Sequence, residues 1–323
     1  MAATVNASKA YDLAGGALRE DLGNVIYDIS PMDTWFMSHA ARGTADSTTH
    51  EWLTDTLAAP AANFAVEGDA FSAQSRVLPS RLKNYTAISK KEFEVTGTAQ
   101  EVNNAGMSKL MAYHTARAAK ELKRDMETAM LGNNPASAGT STSPRVSAGV
   151  PNWLYSANHI KLSGQTVWST TAPVSGFATA TIPGSTATAF TETDLQNMLS
   201  QAWSCGGEVD TLLVNASVYN TISGFEGLAT RFRDVSSRQQ AQIIGAADVY
   251  VSAFGSHNIQ LSRYIMSGTA LALDMSTWQV DYLRGFKTVD IAKIGDGERR
   301  AILAEWTLVA KTPLANTKSH GIG

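Results

Sequence analysis

The sequence MSKLMAYHTARAAKELKRDMETAML, at residues 107–131, gives the strongest indication of the fold. Its apolar residues recur at spacings of three, four and seven, which is typical of one face of a helix: Met111, Ala118, Leu122, Met126 and Ala129. Gly132 and Asn133 follow as a helix stop. At about 1.5 Å per residue the helix would be roughly 37 Å long, about double the average globular helix. Because its apolar stripe is narrow and rich in alanine, we expect it to lie across a sheet.

A long excursion precedes this helix. Residues 48–57 alternate in the manner of a strand, and a second extended run covers residues 81–97. The segment between them, 58–74, is rich in alanine and carries the acidic turn Glu67-Gly68-Asp69 near its tip. A connection this long without a core of its own is usually functional.

Helix and strand alternate in the middle of the chain, which indicates a second core. The segments predicted there are a capped helix starting at Thr191-Glu192-Thr193-Asp194 and ending at Gly206-Gly207, a strand at 211–214, a helix at about 235–246 and a strand at 249–251.

The last fifth of the chain is rich in predicted strands: 270–273, 279–283, 288–292 and 300–309, the last two joined by a turn at Gly295-Asp296-Gly297. The fold class is therefore mixed α+β.

The composition is poor in charge. Charged residues make up 17% of the chain, against about 25% in an ordinary soluble domain, whereas Ala, Thr and Ser account for 109 of the 323 residues. Neutral surface is easily desolvated, so it suits a protein that packs against copies of itself. The net charge of −3 lacks the basic excess of a nucleic-acid binder. Residues 162–191 contain no charged residue, and we expect them to form an outward-facing surface insertion.

Recognisable catalytic patterns are missing from the sequence. A single cysteine, Cys205, allows no internal disulfide and no cysteine-based zinc site, and we expect it to be buried. His50-Glu51-Trp52-Leu53-Thr54 begins like a zinc-protease helix but has Thr54 where the second histidine is needed. No signal peptide is expected, and no apolar run reaches the 18 residues of a membrane span. We predict no enzyme activity, no cofactor and no catalytic, cofactor-binding or metal site.

Short motifs along nearly the whole chain, in this order, resemble the major capsid proteins of the SU10-like family, which have the HK97-type fold of tailed bacteriophages. The motifs are Arg19-Glu20-Asp21-Leu22, Ile29-Ser30-Pro31-Met32-Asp33-Thr34, His50-Glu51-Trp52, Glu67-Gly68-Asp69, Val95-Thr96-Gly97-Thr98, residues 120–127, Phe225-Glu226-Gly227, Ala292-Lys293-Ile294-Gly295-Asp296 and Glu305-Trp306-Thr307-Leu308. No single motif is specific, and the resemblance rests on their combination.

The resemblance implies a division of the chain that spacing alone could not supply. It comprises an N-terminal arm (1–43), an extended β-hairpin loop that lies over a neighbouring subunit (44–92), a peripheral domain with its spine helix (93–150), an axial domain containing the insertion 162–191 (151–275), and a β-rich return to the peripheral domain with the C-terminal tail (276–323). The implied function is self-assembly, through pentamers and hexamers, into the icosahedral or prolate head shell that encloses a phage double-stranded DNA genome.

The implied partners are further copies of the chain, a separate scaffolding protein, a portal protein, a decoration protein and packaged DNA held by non-specific contacts, with no membrane. Assembly would take place in the cytoplasm of the bacterial host, and the product would be the virion head. Two other classes stay open from the residues. A secreted or tail-associated β-rich structural protein would need repeated sandwich strands, which the long helix argues against. A small hydrolase would need a nucleophile–base pair.

Candidate assembly contacts follow from the aromatic and charged residues of the arm and of the excursion. They are Trp35, Trp52, Glu67, Asp69, Arg81 and Lys83. The sharpest form of this hypothesis is that Trp52 and the acidic tip anchor the loop on an adjacent subunit.

Overall fold

A computed structural model describes residues 33–70, 78–102, 109–160, 162, 172–182, 187–225, 249–293 and 295–323 of the chain. The predicted arm up to residue 32 and the predicted helix at 235–246 lie outside these residues. The helices are α1 (Trp35–His39), α2 (Gly97–Glu101), α3 (Leu110–Leu131), α4 (Val150–Trp153), α5 (Glu192–Ser204) and α6 (Ala216–Ser223), with short 3-10 turns at Ser156–Asn158, Met275–Thr277 and Pro313–Ala315.

The strands form two larger sheets and one two-stranded ribbon. Their bounds are β1 (Ala41–Thr44), β2 (Thr49–Thr54), β3 (Ser80–Tyr85), β4 (Ala87–Thr96), β5 (Thr211–Val214), β6 (Val249–Ser252), β7 (Gly255–Leu261), β8 (Thr269–Leu273), β9 (Trp278–Ile291), β10 (Gly297–Ala310) and β11 (Thr317–His320).

The first sheet has the strand order β1-β9-β10-β4. β9 and β10 form the hairpin that the Asp-Gly turn predicts, and Gly295 there has a positive φ of 83°. The predicted strands 279–283 and 288–292 are wrong as separate elements, because β9 runs unbroken through Gly285. The register between β9 and β10 is irregular near Leu303 and Glu305, as at a β-bulge.

The long helix lies against this first sheet, as its thin apolar stripe predicts. α3 contains 22 residues and ends at Leu131, immediately before the predicted stop at Gly132. Met111, Ala118, Leu122 and Met126 are buried, and they face β4 and β10. The hydrophobic cluster beneath the helix includes three fully buried tryptophans: Trp153, Trp278 and Trp306.

The second sheet has the strand order β11-β8-β5-β7-β6. Helices α5 and α6 cover one face of it and form a second cluster. The capping box at Thr191 and Asp194 begins α5 as predicted, since the Thr191 hydroxyl accepts the Asp194 N–H and the Asp194 carboxylate accepts the Thr191 N–H. The strands predicted at 211–214, 249–251 and 270–273 are confirmed as β5, β6 and β8.

β2 and β3 pair antiparallel as a separate ribbon, from Thr49 opposite Tyr85 to Thr54 opposite Ser80. Beyond Thr86 the chain enters β4, which pairs with β10 in the first sheet. The predicted loop limit at residue 92 therefore falls within a sheet strand. Among the described residues, no helix combines the length and apolar character that crossing a membrane requires.

Candidate functional site

The extended loop between β2 and β3 is the most exposed part of the described chain. Residues 55–70 contain neither helix nor strand, and every one of them is exposed. Large apolar side chains there have almost no cover, since Leu57 is 97% and Phe64 95% exposed. Val66 at 80% and Leu78 at 84% continue the same pattern. Single exposed apolar residues are normal on a surface, but a series of them on one projecting segment marks an interaction site.

A tight turn forms the acidic tip of this loop. The Asp69 N–H donates to the Val66 carbonyl at 3.0 Å, and Gly68 takes a positive φ of 83° between them. This conformation at the third turn position favours glycine. The turn places Glu67 and Asp69 in solvent, two residues apart, and their predicted contact with another subunit stays a prediction.

The predicted cations Arg81 and Lys83 lie at the root of the loop, on β3, where both pair with Glu51 on β2. The Arg81 Nη1–Glu51 Oε2 distance is 3.2 Å and the Lys83 Nζ–Glu51 Oε1 distance is 3.0 Å. The hydrogen bond from Lys83 lowers the pKa of the Glu51 carboxyl. Within one subunit these cations therefore stabilise the ribbon, and the acidic tip lies beyond the last ribbon pair, Thr54–Ser80.

Trp52 is also engaged at the root. Its indole Nε1 donates to the Ala310 carbonyl at 2.9 Å, and its ring centroid lies 5.4 Å from that of the buried Trp153. The side chain is half-buried against its own chain. In this arrangement Trp52 fixes the direction in which the loop leaves the body, whereas its predicted contact with an adjacent subunit stays a prediction.

Trp35 opens α1, and its ring stacks on His39 at a centroid distance of 4.2 Å. The side chain is half-buried and packs against the first hydrophobic cluster. The neighbouring Phe36 is fully buried and contacts Trp278 edge to face. Trp35 therefore belongs to the segment that ties the chain emerging from the arm onto the body.

Glu127, which no sequence pattern singled out, holds that segment in place. Its carboxylate oxygens accept the backbone N–H groups of Phe36 and Met37, each at 2.8 Å. These donors are among the free N–H groups at the start of α1. Burial raises the pKa of the Glu127 carboxyl to about 7, against the opposing effect of the two N–H groups. Spacing in the sequence could have indicated that Glu127 is buried, since it lies three and four residues before the buried Met130 and Leu131.

The expectation that residues 162–191 form only an outward-facing insertion is wrong for the described part. Phe177 stacks on Tyr85 at a centroid distance of 4.4 Å, and the Lys83 N–H donates to the Gly176 carbonyl at 2.8 Å. Ala178 and Ile182 are buried. Because this segment has no charged side chain, the β2–β3 ribbon can cover it without desolvating a charge. Its neutral composition therefore permits burial.

Three further side chains are of types that can act in catalysis. Cys205 is exposed at the end of α5, so the expectation of a buried thiol is wrong. Ser252 Oγ lies 2.8 Å from His257 Nε2, but the same oxygen accepts the Phe254 N–H, and His257 Nδ1 bonds the Val209 carbonyl. The bonds of Ser252 close the turn between β6 and β7, and the bond of His257 to Val209 ties β7 to the residues before β5. In the described residues no cluster of three or more potential ligands is arranged for a metal ion.

Comparison with known families decides what this architecture is. The family described as SU10 major capsid protein matches residues 3–323, which is almost the full chain. The chain belongs to the SU10 major capsid protein family. One relative is the major capsid protein of Escherichia phage Phieco32, which is 25% identical to this chain. The match covers 95% of this chain and 94% of the relative.

Solved capsid structures share the fold of this SU10 family member. The cyanophage A-1(L) capsid matches with a TM-score of 0.69 at 12% identity, over 97% of this chain and 99% of that one. The capsid of a native GTA particle matches with a TM-score of 0.64 at 10% identity, over 99% and 100% of the two chains. At these identities the likeness establishes the fold alone, and the HK97-type α+β fold is confirmed.

The chain is accordingly a phage major capsid protein, a structural component of the virion head whose function is to form the shell. The sequence-based resemblance to this family is confirmed. The two alternative classes, a tail-associated or secreted β-rich protein and a hydrolase, are replaced by this assignment.

Proposed function

We propose that copies of this capsid protein are joined into pentamers and hexamers by the extended loop, which leaves one subunit and buries its apolar side chains on the next. The observation that carries the proposal is the series of four large apolar side chains on residues 55–78, each at least 80% exposed. Burying one such side chain contributes about 1.5–3 kcal/mol. Four such side chains together supply a contact that can hold neighbouring subunits together when it is repeated throughout a shell.

The division into domains is part of the same proposal. The peripheral domain would comprise residues 93–150 and 276–323, with α3 and the strands β9 and β10 of the first sheet, and the axial domain would comprise residues 151–275, with α5, α6 and the strands β5 to β8 of the second sheet. Three strands cross these limits, since β1 and part of β4 lie before residue 93 and β11 pairs with β8 in the second sheet. What supports this is the pair of hydrophobic clusters, each centred on one of the two sheets. Residues 1–43 would be the arm and 44–92 the loop region.

The partners proposed beyond the chain itself are a separate scaffolding protein, a portal protein, a decoration protein and double-stranded DNA bound without sequence specificity. One structural neighbour, from Phage G, contains major capsid and decoration proteins together. We propose an icosahedral or prolate shell assembled in the bacterial cytoplasm, and a purely structural role without catalysis.

The test replaces the apolar side chains of the loop. Leu57→Ser, Phe64→Ser and Val66→Ser are combined in the full chain, expressed with the remaining head proteins of the phage. Because these side chains are at least 80% exposed in their own subunit, circular dichroism should match wild type while particles disappear from negative-stain micrographs. Deleting residues 58–74 should have the same result.

The matched control keeps the loop apolar with Leu57→Met, Phe64→Leu and Val66→Ile, and it should form normal particles. Normal particles from the serine variant would contradict the proposal.

A further inference from the structure

β3 and β4 follow each other as an almost continuous extended chain, and they pair with different strands on their two sides. β3 pairs with β2, and this pairing ends where the Thr86 N–H donates to the Thr48 carbonyl at 2.9 Å. β4 pairs with β10 on the other side, over its whole length. From Ile88 onward, the side that faces β2 in β3 is therefore an open edge of the first sheet among the described residues.

The hydrogen bond just past the end of β4 shows which backbone groups face this open edge. The Gly97 N–H donates to the Asp296 carbonyl at 2.8 Å, in register with the β4–β10 pairing. Because opposed residues of an antiparallel pair alternate between bonded and non-bonded, the odd-numbered residues of β4 bond to β10. The even-numbered residues direct their N–H and C=O groups outward, as Thr86 does toward β2. They are Ile88, Lys90, Glu92, Glu94 and Thr96.

The side chains of these even-numbered residues lie on the face of the sheet that α3 does not cover. Lys91 points toward the helix, since its ammonium lies 2.7 Å from the Asp125 carboxylate. Phe93 does the same, with its ring centroid 6.0 Å from that of His114. Because side chains alternate between the two faces of a strand, the even-numbered residues point away from the helix. All five are exposed.

The charges on this exposed face are balanced. Arg299 on β10 lies 2.7 Å from a carboxylate oxygen of Glu92 and 3.4 Å from one of Glu94. Lys90 lies on the same face of the neighbouring strand and is exposed. Two cations and two carboxylates therefore line the edge, so two such edges can lie side by side in opposite directions without a net repulsion.

The edge of β4 lacks the features by which proteins usually prevent edge pairing. Such features are a short strand, proline, a bulge or charges of one sign. β4 has ten residues, about 34 Å of strand, and contains no proline. Its register with β10 is regular throughout. Its exposed charges are of both signs. In a protein that forms a shell from copies of itself, this edge therefore fits a second copy of the chain.

We propose that β4 pairs antiparallel with β4 of a second copy across a two-fold axis at Glu92, which joins two four-stranded sheets into one of eight strands. In this register Lys90 of each copy lies opposite Glu94 of the other, so two pairs of opposite charge form across the contact. The two Glu92 carboxylates meet at the axis, where each keeps its own Arg299.

The length of the strand fits this register. Ile88 of each copy lies opposite Thr96 of the other, and β4 ends at Thr96. The incoming strand therefore stops before it reaches the position beside Thr86, which Thr48 occupies in the same subunit. The open edge is used from end to end without displacing β2.

This inference goes beyond the proposed function, because it adds a contact of a different symmetry. The loop contact joins two different surfaces and closes subunits into rings, whereas the β4 contact joins a surface to itself. A two-fold contact cannot build a ring of five or six. It would instead connect a subunit of one ring to a subunit of the next.

A charge exchange tests the register. Lys90→Glu and Glu94→Lys, each in the full chain expressed with the other head proteins, should lose particles in negative-stain micrographs, because like charges then face each other twice. The double variant exchanges the charges and should regain particles. Lys109→Glu, the same change at an exposed residue outside β4, is the control and should assemble normally. Normal particles from either single variant would overturn the proposal. A double variant without particles would assign the edge to another head protein, which overturns it as well.

Cysteine cross-linking detects the two-fold axis directly. In a Cys205→Ser background, Glu92→Cys should give a disulfide-linked dimer on non-reducing gels, because the Cα atoms of an opposed bonded pair lie about 5.5 Å apart, within the range of a disulfide. Glu94→Cys, which lies opposite Lys90 rather than opposite itself, is the matched control and should give no dimer. Normal particles without the Glu92→Cys dimer would contradict the proposal, and so would equal dimer from both variants.

A proline variant separates this inference from the proposed function of the loop. Glu92→Pro removes one outward N–H and leaves the bonds to β10, because proline is tolerated on an edge strand where the N–H faces solvent. Its circular dichroism should match wild type, and sedimentation velocity should show pentamers and hexamers that do not join into shells. The serine variant of the loop should show no such rings. Normal shells from Glu92→Pro would overturn the β4 contact and leave the loop contact standing.

Discussion

At the scale of single residues, two buried carboxylates on the first sheet and its helix are satisfied in different ways. Glu305 receives hydrogen bonds from Arg145, Arg284 and Thr86, at 2.6, 2.8 and 2.9 Å. In its described hydrogen bonds, Glu127 has only backbone N–H groups as donors, and burial is the largest influence on the pKa of its carboxyl. A charge balanced by cations is cheaper to bury than one balanced by dipoles alone. Glu127 is therefore a residue at which proton uptake affects stability. The buried Lys318 is another, since burial lowers the pKa of its amine to about 7, and its contribution to stability rises as the pH increases above that value.

The first prediction concerns Glu127→Gln. The folded-state pKa of this carboxyl is raised from 4.5 to about 7, so the folded protein binds more protons than the unfolded chain in that interval. The free energy of unfolding of wild type should therefore fall as the pH rises through it, by up to about 3 kcal/mol at 1.4 kcal/mol per pKa unit. Asp33 and His39 are the charged neighbours that modulate the effect.

Glutamine cannot ionise, and its amide nitrogen faces one of the two backbone donors. The variant should be less stable at pH 5 by about 1–3 kcal/mol, and its stability should vary less between pH 5 and 8. Denaturant titrations at several pH values measure both quantities. Parallel pH curves for wild type and variant would contradict the assignment of the raised pKa to Glu127.

At the scale of elements, the ribbon β2–β3 is attached to the body through a small number of side chains. Trp52 and Asn84 bond carbonyls of β10, and Tyr85 stacks on Phe177 of the neutral segment. Beyond Thr54 and before Ser80 no described residue pairs with the body as a strand. Among the described residues, the contacts that set the direction of the loop therefore lie at its root.

The second prediction is that Trp52→Phe loosens this root without unfolding the protein. Phenylalanine keeps the packing on Trp153 but loses the hydrogen bond to the Ala310 carbonyl, at a cost of about 1 kcal/mol. Hydrogen exchange of peptides covering β2 and β3 should become faster, while peptides of α5 stay unchanged. Trp203→Phe, on an exposed tryptophan at the end of α5, is the control and should leave β2 and β3 as in wild type.

Sequence reading succeeded where a repeating pattern reports directly on local structure. The stripe of α3, the capping box of α5 and the Asp-Gly turn each fix an element within a few residues, and the confirmed elements follow. It failed where a partner distant in sequence decides. Glu127 looks like the partner of Lys123 on an exposed face, and only the folded chain brings it to the N–H groups of Phe36 and Met37, about 90 residues away.

The same limit applies to the candidate contacts. Alternation and acidic residues were enough to place Glu67 and Asp69 on a projecting turn. They could not show that Arg81 and Lys83 share Glu51, because that depends on strand register. Register is set by the pairing of two strands separated by 25 residues of loop, and no local pattern encodes it.

At the scale of the whole molecule, the second sheet contributes to both hydrophobic clusters. Leu213, Leu271 and Leu273 belong to the first cluster. Their neighbours on the same strands, including Leu212 and Ala272, belong to the second. Because side chains alternate between the faces of a strand, β5 and β8 separate the two clusters and join them mechanically. A capsid subunit built in this way should respond to strain as one unit.

The last prediction tests that coupling with Leu199→Ala. Leu199 lies in the second cluster and is 1% exposed, so its truncation should cost about 2–5 kcal/mol. The buried tryptophans Trp153, Trp278 and Trp306 all lie in the first cluster and report on it by fluorescence. Since β5 and β8 contribute side chains to both clusters, unfolding of the second cluster should expose part of the first cluster to solvent. The midpoints of thermal unfolding by circular dichroism and by tryptophan emission should therefore fall together. An emission midpoint that stays at the wild-type temperature while the dichroism midpoint falls would instead mean that the two clusters unfold independently.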